Sequence, residues 1–375
     1  LNKYRTATPT GKNAQAAAPA VGPLQAWMRF WFTPADPTGL HALRVLSGML
    51  FIFWLLPLAG HIDGLYGLQG WFDRQAYYDA VNLPDGPPQP TNWSVLFAAG
   101  SNATLLNIMY WTALAVLLLF TLGLCTRVTA VLSWIIVVSF MANPVTLYDA
   151  DSLLVLLAFY LMIGYLLLGQ WGGGQSWVTR ILGTDTWLFR KAREAEPQGS
   201  VAANVAVRLL QVNFAIVMVV SGLHKLQFGE WWSGAAFWYP LHPPFKTTIE
   251  HARDGISNPF VYLTFLSLGA YATLAWQIAF PTFAWRPRWR WLLLGGAFVG
   301  WLGLAFMYAL PLFGPAICIC CLGYLTPAEW QWLRDRLAQV PGLARLQSQP
   351  ALPASEALKP NLKKEETSFL ASRQR

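Results

Sequence analysis

The chain has 375 residues, 55% of them hydrophobic and only 12% charged, against about 25% charged in an average soluble domain. With a mean hydropathy of +0.38, this composition excludes a disordered chain, a collagen-like repeat and a disulfide-stapled secreted scaffold. Four cysteines, three of them in one apolar run, make no disulfide framework, and the net charge of +8 raises nucleic acid as a partner only until its distribution is read.

Residues 1–23 are polar and Ala/Pro-rich with no apolar core, so no cleavable signal peptide is expected among them. The run 24–32 (LQAWMRFWF) is amphipathic and ends before Pro34. It predicts a helix lying along the membrane interface, aromatic rings among the headgroups and Arg29 snorkelling. A membrane-crossing helix needs about 20 mostly apolar residues for a hydrocarbon core of about 30 Å. On that basis eight spans are predicted, at 39–60, 103–124, 128–142, 152–169, 203–223, 261–280, 291–309 and 312–325. No long polar–apolar alternation suggests a membrane barrel, which leaves helices to satisfy every backbone group. The segment 330–337 (WQWLRDRL) predicts a second interfacial helix, and residues 341–375 read as a disordered tail. The expected fold class is therefore all-α: one polytopic bundle over 24–340, with a disordered 1–23 and both termini cytoplasmic.

Orientation follows from the cations. With the N-terminus inside, 22 of the 26 Lys and Arg residues fall on the inner side and four (Arg74, Lys225, Lys246 and Arg253) on the outer. The basic residues are spread over five inner segments with no aromatic-interleaved patch, so the positive charge reports membrane orientation and nucleic acid is excluded as a partner. The expected location is a bacterial inner membrane.

Two outer segments, 61–102 and 226–260, exceed a bare connection and are rich in Gly, Pro and aromatics. They either cap the bundle or fold over it as short helices and a lid. His61, His224, His242 and His251 lie on this side without metal-ligand spacing. Cys318, Cys320 and Cys321 read as packing residues, because adjacent positions on one helix do not converge on one ion.

Span five is the unusual helix. Arg208, Gln211, Ala215, Met218, Gly222 and Lys225 recur at steps of three and four residues, so they share one face. A polar-to-small face on an apolar helix turns toward the bundle, because hydrocarbon offers it no partners. Gly222 beside Lys225 leaves room for an approaching group. For Arg208 the reading is snorkelling; for Lys225, between His224 and the LQFGEWW run, it is function. Asp149 and Asp151 (LYDADS) share the outer side with Lys225. They either cap span four or pair with the lysine.

The stretch RLLQVNFAIVMVVSGLHKLQFGEWWSGAAFWYPL resembles the signature of the HTTM membrane domain, shared with the vitamin K-dependent gamma-glutamyl carboxylases. The matching positions are Gly222, Lys225, Leu226, Trp231 or Trp232, and Gly234, with support from Arg44 (LRVLSGML) and Arg127 (LGLCTR). The likeness covers roughly 39–325. It implies that Lys225 is a base that deprotonates reduced vitamin K or menaquinone, after which oxygen adds and a substrate glutamate loses its γ-proton. Gln211, Gly222, His224, Trp231, Trp232, Asp149 and Asp151 are the residues expected to bind cofactor or substrate, and no metal is expected. The sequence departs from the carboxylases at Ala150-Asp151, where they carry Asn-His, and in the roughly 50 residues after the last span, where they carry a large lumenal domain. Those departures favour a second reading: a non-catalytic subunit that binds quinone or lipid, or stabilises a complex with other membrane subunits. A transporter finds no support, since paired broken helices in equivalent halves are not seen.

Overall fold

A computed structural model describes residues 22–67, 70–71, 79, 93–99, 102–146, 150–168, 199–242, 250, 256, 258–307 and 312–338. Among these residues the fold is helical, with no named strand and one isolated bridge between Ala35 and Ser200. In chain order the helices are α1 (Pro23–Phe32), α2 (Thr38–Leu55), α3 (Ile62–Tyr66), α4 (Ala103–Leu122), α5 (Thr126–Met141), α6 (Asp151–Leu168) and α7 (Val201–Lys225). Two short turns of helix, α8 (Gly229–Trp232) and α9 (Trp238–Leu241), precede α10 (Pro259–Phe283), α11 (Pro287–Met307), α12 (Phe313–Leu322) and α13 (Pro327–Ala338).

Helix ends follow local chemistry. Asn102 and Asn258 cap α4 and α10, each accepting a main-chain N–H three residues on. Gly123 ends α4 at φ +84°, the left-handed turn that closes a helix. Its bare α-carbon also admits the guanidinium of Arg44, which a Cβ there would meet at 2.5 Å.

Five of these helices, α2 (continued by a 3₁₀ turn to Leu58), α4, α6, α7 and α10, are long and apolar enough to cross a membrane. Helix α2 is central: 67% of its most apolar window is buried, against 28% for α4 and α10, whose exposed Leu, Ile and Phe side chains suit lipid. The packing runs α2–α4–α5–α6–α7–α10–α11–α12 and returns to α2.

Each of the eight predicted spans contains a helix among its described residues, but the helices are not equivalent. Helix α5 has 16 residues and α12 only ten; at 1.5 Å per residue α12 reaches about 15 Å, half a hydrocarbon core. Within the predicted eighth span α12 is a short apolar helix packed in the bundle, with Trp301 of α11 against Gly314 and Gln211 of α7 donating to the Gly323 carbonyl that follows it. The two segments predicted to lie along the interface are helical, as α1 and α13. No residue of α1 is buried, and Leu24, Trp27, Met28 and Phe32 form an exposed apolar stripe. Asn204 holds its other side, donating to the carbonyls of Phe30 (3.0 Å) and Trp31 (2.8 Å).

Candidate functional site

The inward stripe of α7 is real: Gln211, Ala215, Met218 and Gly222 are buried, and Arg208 and Lys225 are half-buried at its two ends. Along the helix those ends lie about 25 Å apart, and each has its own surroundings.

At the C-terminal end of α7, the end predicted to face outward, Lys225 Nζ donates to Ser221 Oγ at 2.8 Å, one helical turn back. The same hydroxyl accepts from Gln277 Nε2 of α10 at 3.3 Å. The ammonium lies 5.4 Å from the centre of the Trp231 ring, within cation–π range. Among the described residues no carboxylate stands within ion-pair distance of Lys225. Gln277 is buried, and its Oε1 has no hydrogen-bond partner. Pro281, four residues further along α10, has no N–H, so the main-chain carbonyl of Gln277 also lacks its usual helical donor.

Gly222 does not open a gap. A Cβ there would meet Ile278 Cγ1 at 3.1 Å and Gln277 Cβ at 3.3 Å, so the glycine lets α10 approach α7 closely, as small residues do between membrane helices. Beyond Lys225 the chain folds against the outer half of α10. Gly234, at φ +75°, rests on Ser267, and Phe237 packs on Gly269. Tyr271 OH donates to the Trp232 carbonyl at 2.7 Å, and Trp238 and His242 meet Tyr262 edge-on. Residues 226–242 thus cover this stretch of α10 with short helices, whereas His251 and most of 243–257 lie outside the described residues.

The other expected site residues divide. Trp231 stands beside Lys225. His224 is exposed, its ring edge on Phe228, and Trp232 is 63% exposed with its indole N–H on the Leu226 carbonyl. Asp149 lies outside the described residues. Asp151 begins α6, is buried, and makes no ion pair with Lys225. Its charge instead bears on Tyr66 of α3, whose hydroxyl donates to the Phe140 carbonyl at 2.6 Å and meets Thr146 Oγ1 at 3.1 Å. Burial, with a smaller contribution from Asp151, pushes the Tyr66 phenol above its ordinary range, and the bond to Thr146 opposes the rise.

Gln211 belongs to the inner end. Its Oε1 accepts from Arg208 Nη1 (2.9 Å) and Trp285 Nε1 (3.1 Å), and its Nε2 donates to the Gly323 carbonyl at 2.8 Å. Its main-chain carbonyl accepts from Tyr324 OH. The Arg208 guanidinium lies 4.4 Å from the Phe30 ring centre of α1.

Ser221 and Gln277 complete the outer cluster and were not among the expected residues. Each left a trace in the sequence: Ser221 stands four positions before Lys225, and Gln277 is a lone amide in an apolar span, which is a pointer to function or an interhelical bond.

No protein-family model matches the chain, and no solved structure matches it. The chain is similar to a Bacillus subtilis (strain 168) protein described as uncharacterized protein YitO, at 23% identity over 257 residues, covering 67% of this chain and 77% of that protein.

Proposed function

We propose that this is an inner-membrane protein of the HTTM type whose outer-facing site, centred on Lys225, acts on a reduced quinone such as vitamin K hydroquinone or menaquinol. The observation that carries the reading is the Lys225–Ser221–Gln277 cluster. A carboxylate would hold the lysine as an ammonium, but its partners are a hydroxyl and an aromatic ring. The unpartnered Oε1 of Gln277 is an acceptor suited to a phenolic O–H, so the residues present fit a hydroquinone. In this reading Gln277 and the Trp231 ring hold and orient the ring, and Lys225 takes the hydroxyl proton at Nζ. Proton abstraction by a positioned side chain contributes about 10²–10⁴-fold. A bound hydroquinone would supply four electrons to O₂ in all, two in becoming the quinone and two in its epoxidation, one oxygen atom ending in the quinone epoxide and the other in water. The exposed apolar side chains of α10, among them Phe260, Phe265 and Leu268, offer a lipid tail a path from the bilayer.

The test is an aerobic incubation of purified protein with each reduced quinone, epoxide being followed by mass spectrometry for wild type and Lys225→Ala. Epoxide from wild type and none from the variant is the expected result; none from either contradicts it.

A second reading, a non-catalytic subunit that binds quinone or lipid, is favoured by one observation. Gly222 is closed against Gln277 and Ile278, so a guest at Lys225 requires α7 and α10 to part. Stoichiometric co-purification with other membrane proteins from native membranes, without epoxidation, is the result this reading expects.

A further inference from the structure

At the inner end of α7 a cavity of about 390 Å³ opens between α1, α2, α7 and the start of α13. Its polar wall is built by Asn204, Arg208, Gln211 and Arg290, and Trp285 and Trp330 supply flat apolar sides. Arg290 is 5% exposed; its Nη1 donates to the Tyr324 carbonyl at 3.2 Å and its Nη2 pairs with Glu329 at 2.7 Å. Arg208 has no carboxylate within ion-pair distance among the described residues, only the neutral Gln211 and the Phe30 ring. Asp36 also lines the cavity, but its Oδ1 accepts from the Thr38 main chain and hydroxyl at the start of α2 and its Oδ2 from Gln331.

The Nε atoms of Arg208 and Arg290 are both buried without a hydrogen-bond partner. Atoms so fully covered are not reached from the cavity, but the guanidinium of Arg208, which lines it, presents only N–H donors, so a guest held there is an acceptor. A guanidinium whose charge no carboxylate offsets selects an anionic one, and the planar fork of arginine matches the oxygens of phosphate. The cavity lies at the end of the bundle that carries α1, α13 and the exposed Arg286 and Arg288, where the cation count expects the inner leaflet. Basic pockets between membrane helices on that side bind the headgroups of anionic lipids.

We propose that this cavity is a binding site for a phosphate ester, its phosphate held by Arg208 and its stem lying between Trp285 and Trp330. Two sources carry that chemistry, an anionic phospholipid of the inner leaflet and a soluble phosphate ester. The site is independent of any reaction at Lys225.

The experiment uses purified full-length protein stripped of lipid in detergent. Dioleoylphosphatidylglycerol and dioleoylphosphatidylcholine are titrated separately and bound lipid is counted by native mass spectrometry, with glycerol phosphate added alone and in competition. Wild type is expected to bind phosphatidylglycerol or glycerol phosphate, and Arg208→Gln to bind it about ten-fold or more weakly, the scale of one lost charged hydrogen bond. Val207→Phe, which fills the cavity without altering a charge, lowers binding equally and keeps the test open if Arg208→Gln does not fold. Arg288→Gln, an exposed cation outside the cavity, leaves it unchanged. Phosphatidylglycerol retained against millimolar glycerol phosphate assigns the lipid as the source; glycerol phosphate bound without a preference for phosphatidylglycerol assigns the soluble ester. Equal binding of both lipids with no uptake of glycerol phosphate overturns the proposal, as does unchanged anion binding in a folded Arg208→Gln or Val207→Phe protein.

Discussion

The two ends of α7 present the same kind of charge in opposite settings. At the outer end Lys225 is a compact amine tethered to Ser221 on its own helix, and Gly222 draws α10 in so tightly that little space is left. At the inner end Arg208 stands in a wall shared by α1, α2, α7 and the α12–α13 turn, beside a cavity and a network that runs through Gln211 to Trp285, Gly323 and Tyr324. The outer end suits one movable proton carrier on a short tether. The inner end suits a fixed anion receptor, because a guanidinium keeps its charge and its geometry. A single polar stripe is therefore proposed to serve two sites at different depths.

The largest expected effect separates them by chemistry. Lys225→Ala lowers quinone epoxidation by about 10²–10⁴-fold with little change in melting temperature, measured on purified protein. A loss of stability of the same order would place Lys225 in the frame of the fold instead. The inner end should behave in the reverse manner. Arg290→Ala leaves Glu329, whose side chain is only 20% exposed, without its partner. Breaking such a buried pair costs about 3–5 kcal/mol, read as a clear fall in the denaturation midpoint in detergent. Gly222→Leu tests the closeness of α7 and α10. The added side chain meets Ile278 and Gln277 and is expected to destabilise by about 1–3 kcal/mol, whereas an open outer site would take it without penalty. Asn204→Ala removes two bonds to α1 and is expected to cost about 1–2 kcal/mol, seen as earlier proteolysis of the N-terminal helix.

Much of this contrast was legible in the sequence, and the reasons for the rest are physical. The three-and-four spacing from Arg208 to Lys225 identified the inward face of α7, because a shared helical face is a matter of angle alone. It did not separate Gln211 from Lys225, since a stripe carries no information about depth: 14 residues of helix put them about 21 Å apart. Gly222 read as room for a ligand, but a missing side chain equally marks where a second helix comes close, and only the position of Gln277 and Ile278 decides between the two. The run 312–325 read as one apolar stretch because hydropathy counts residues, whereas a helix end depends on local turns: α12 stops at Leu322 before Gly323. Asp151 read either as a cap of span four or as a partner for Lys225 from their common side; the group its charge bears on, Tyr66, comes from α3, 85 positions earlier in the chain, an arrangement that no local pattern encodes.

The central claim is that one helix carries two independent sites, and the most direct test measures both functions on the same three proteins. Wild type, Lys225→Ala and Arg208→Gln are each assayed for quinone epoxidation and for retention of phosphatidylglycerol or glycerol phosphate. The expected outcome is a crossed pattern: Lys225→Ala loses epoxidation and keeps the anion, and Arg208→Gln loses the anion and keeps epoxidation. Loss of both functions together in either variant, with the fold intact, would contradict it and make the two ends of α7 a single site.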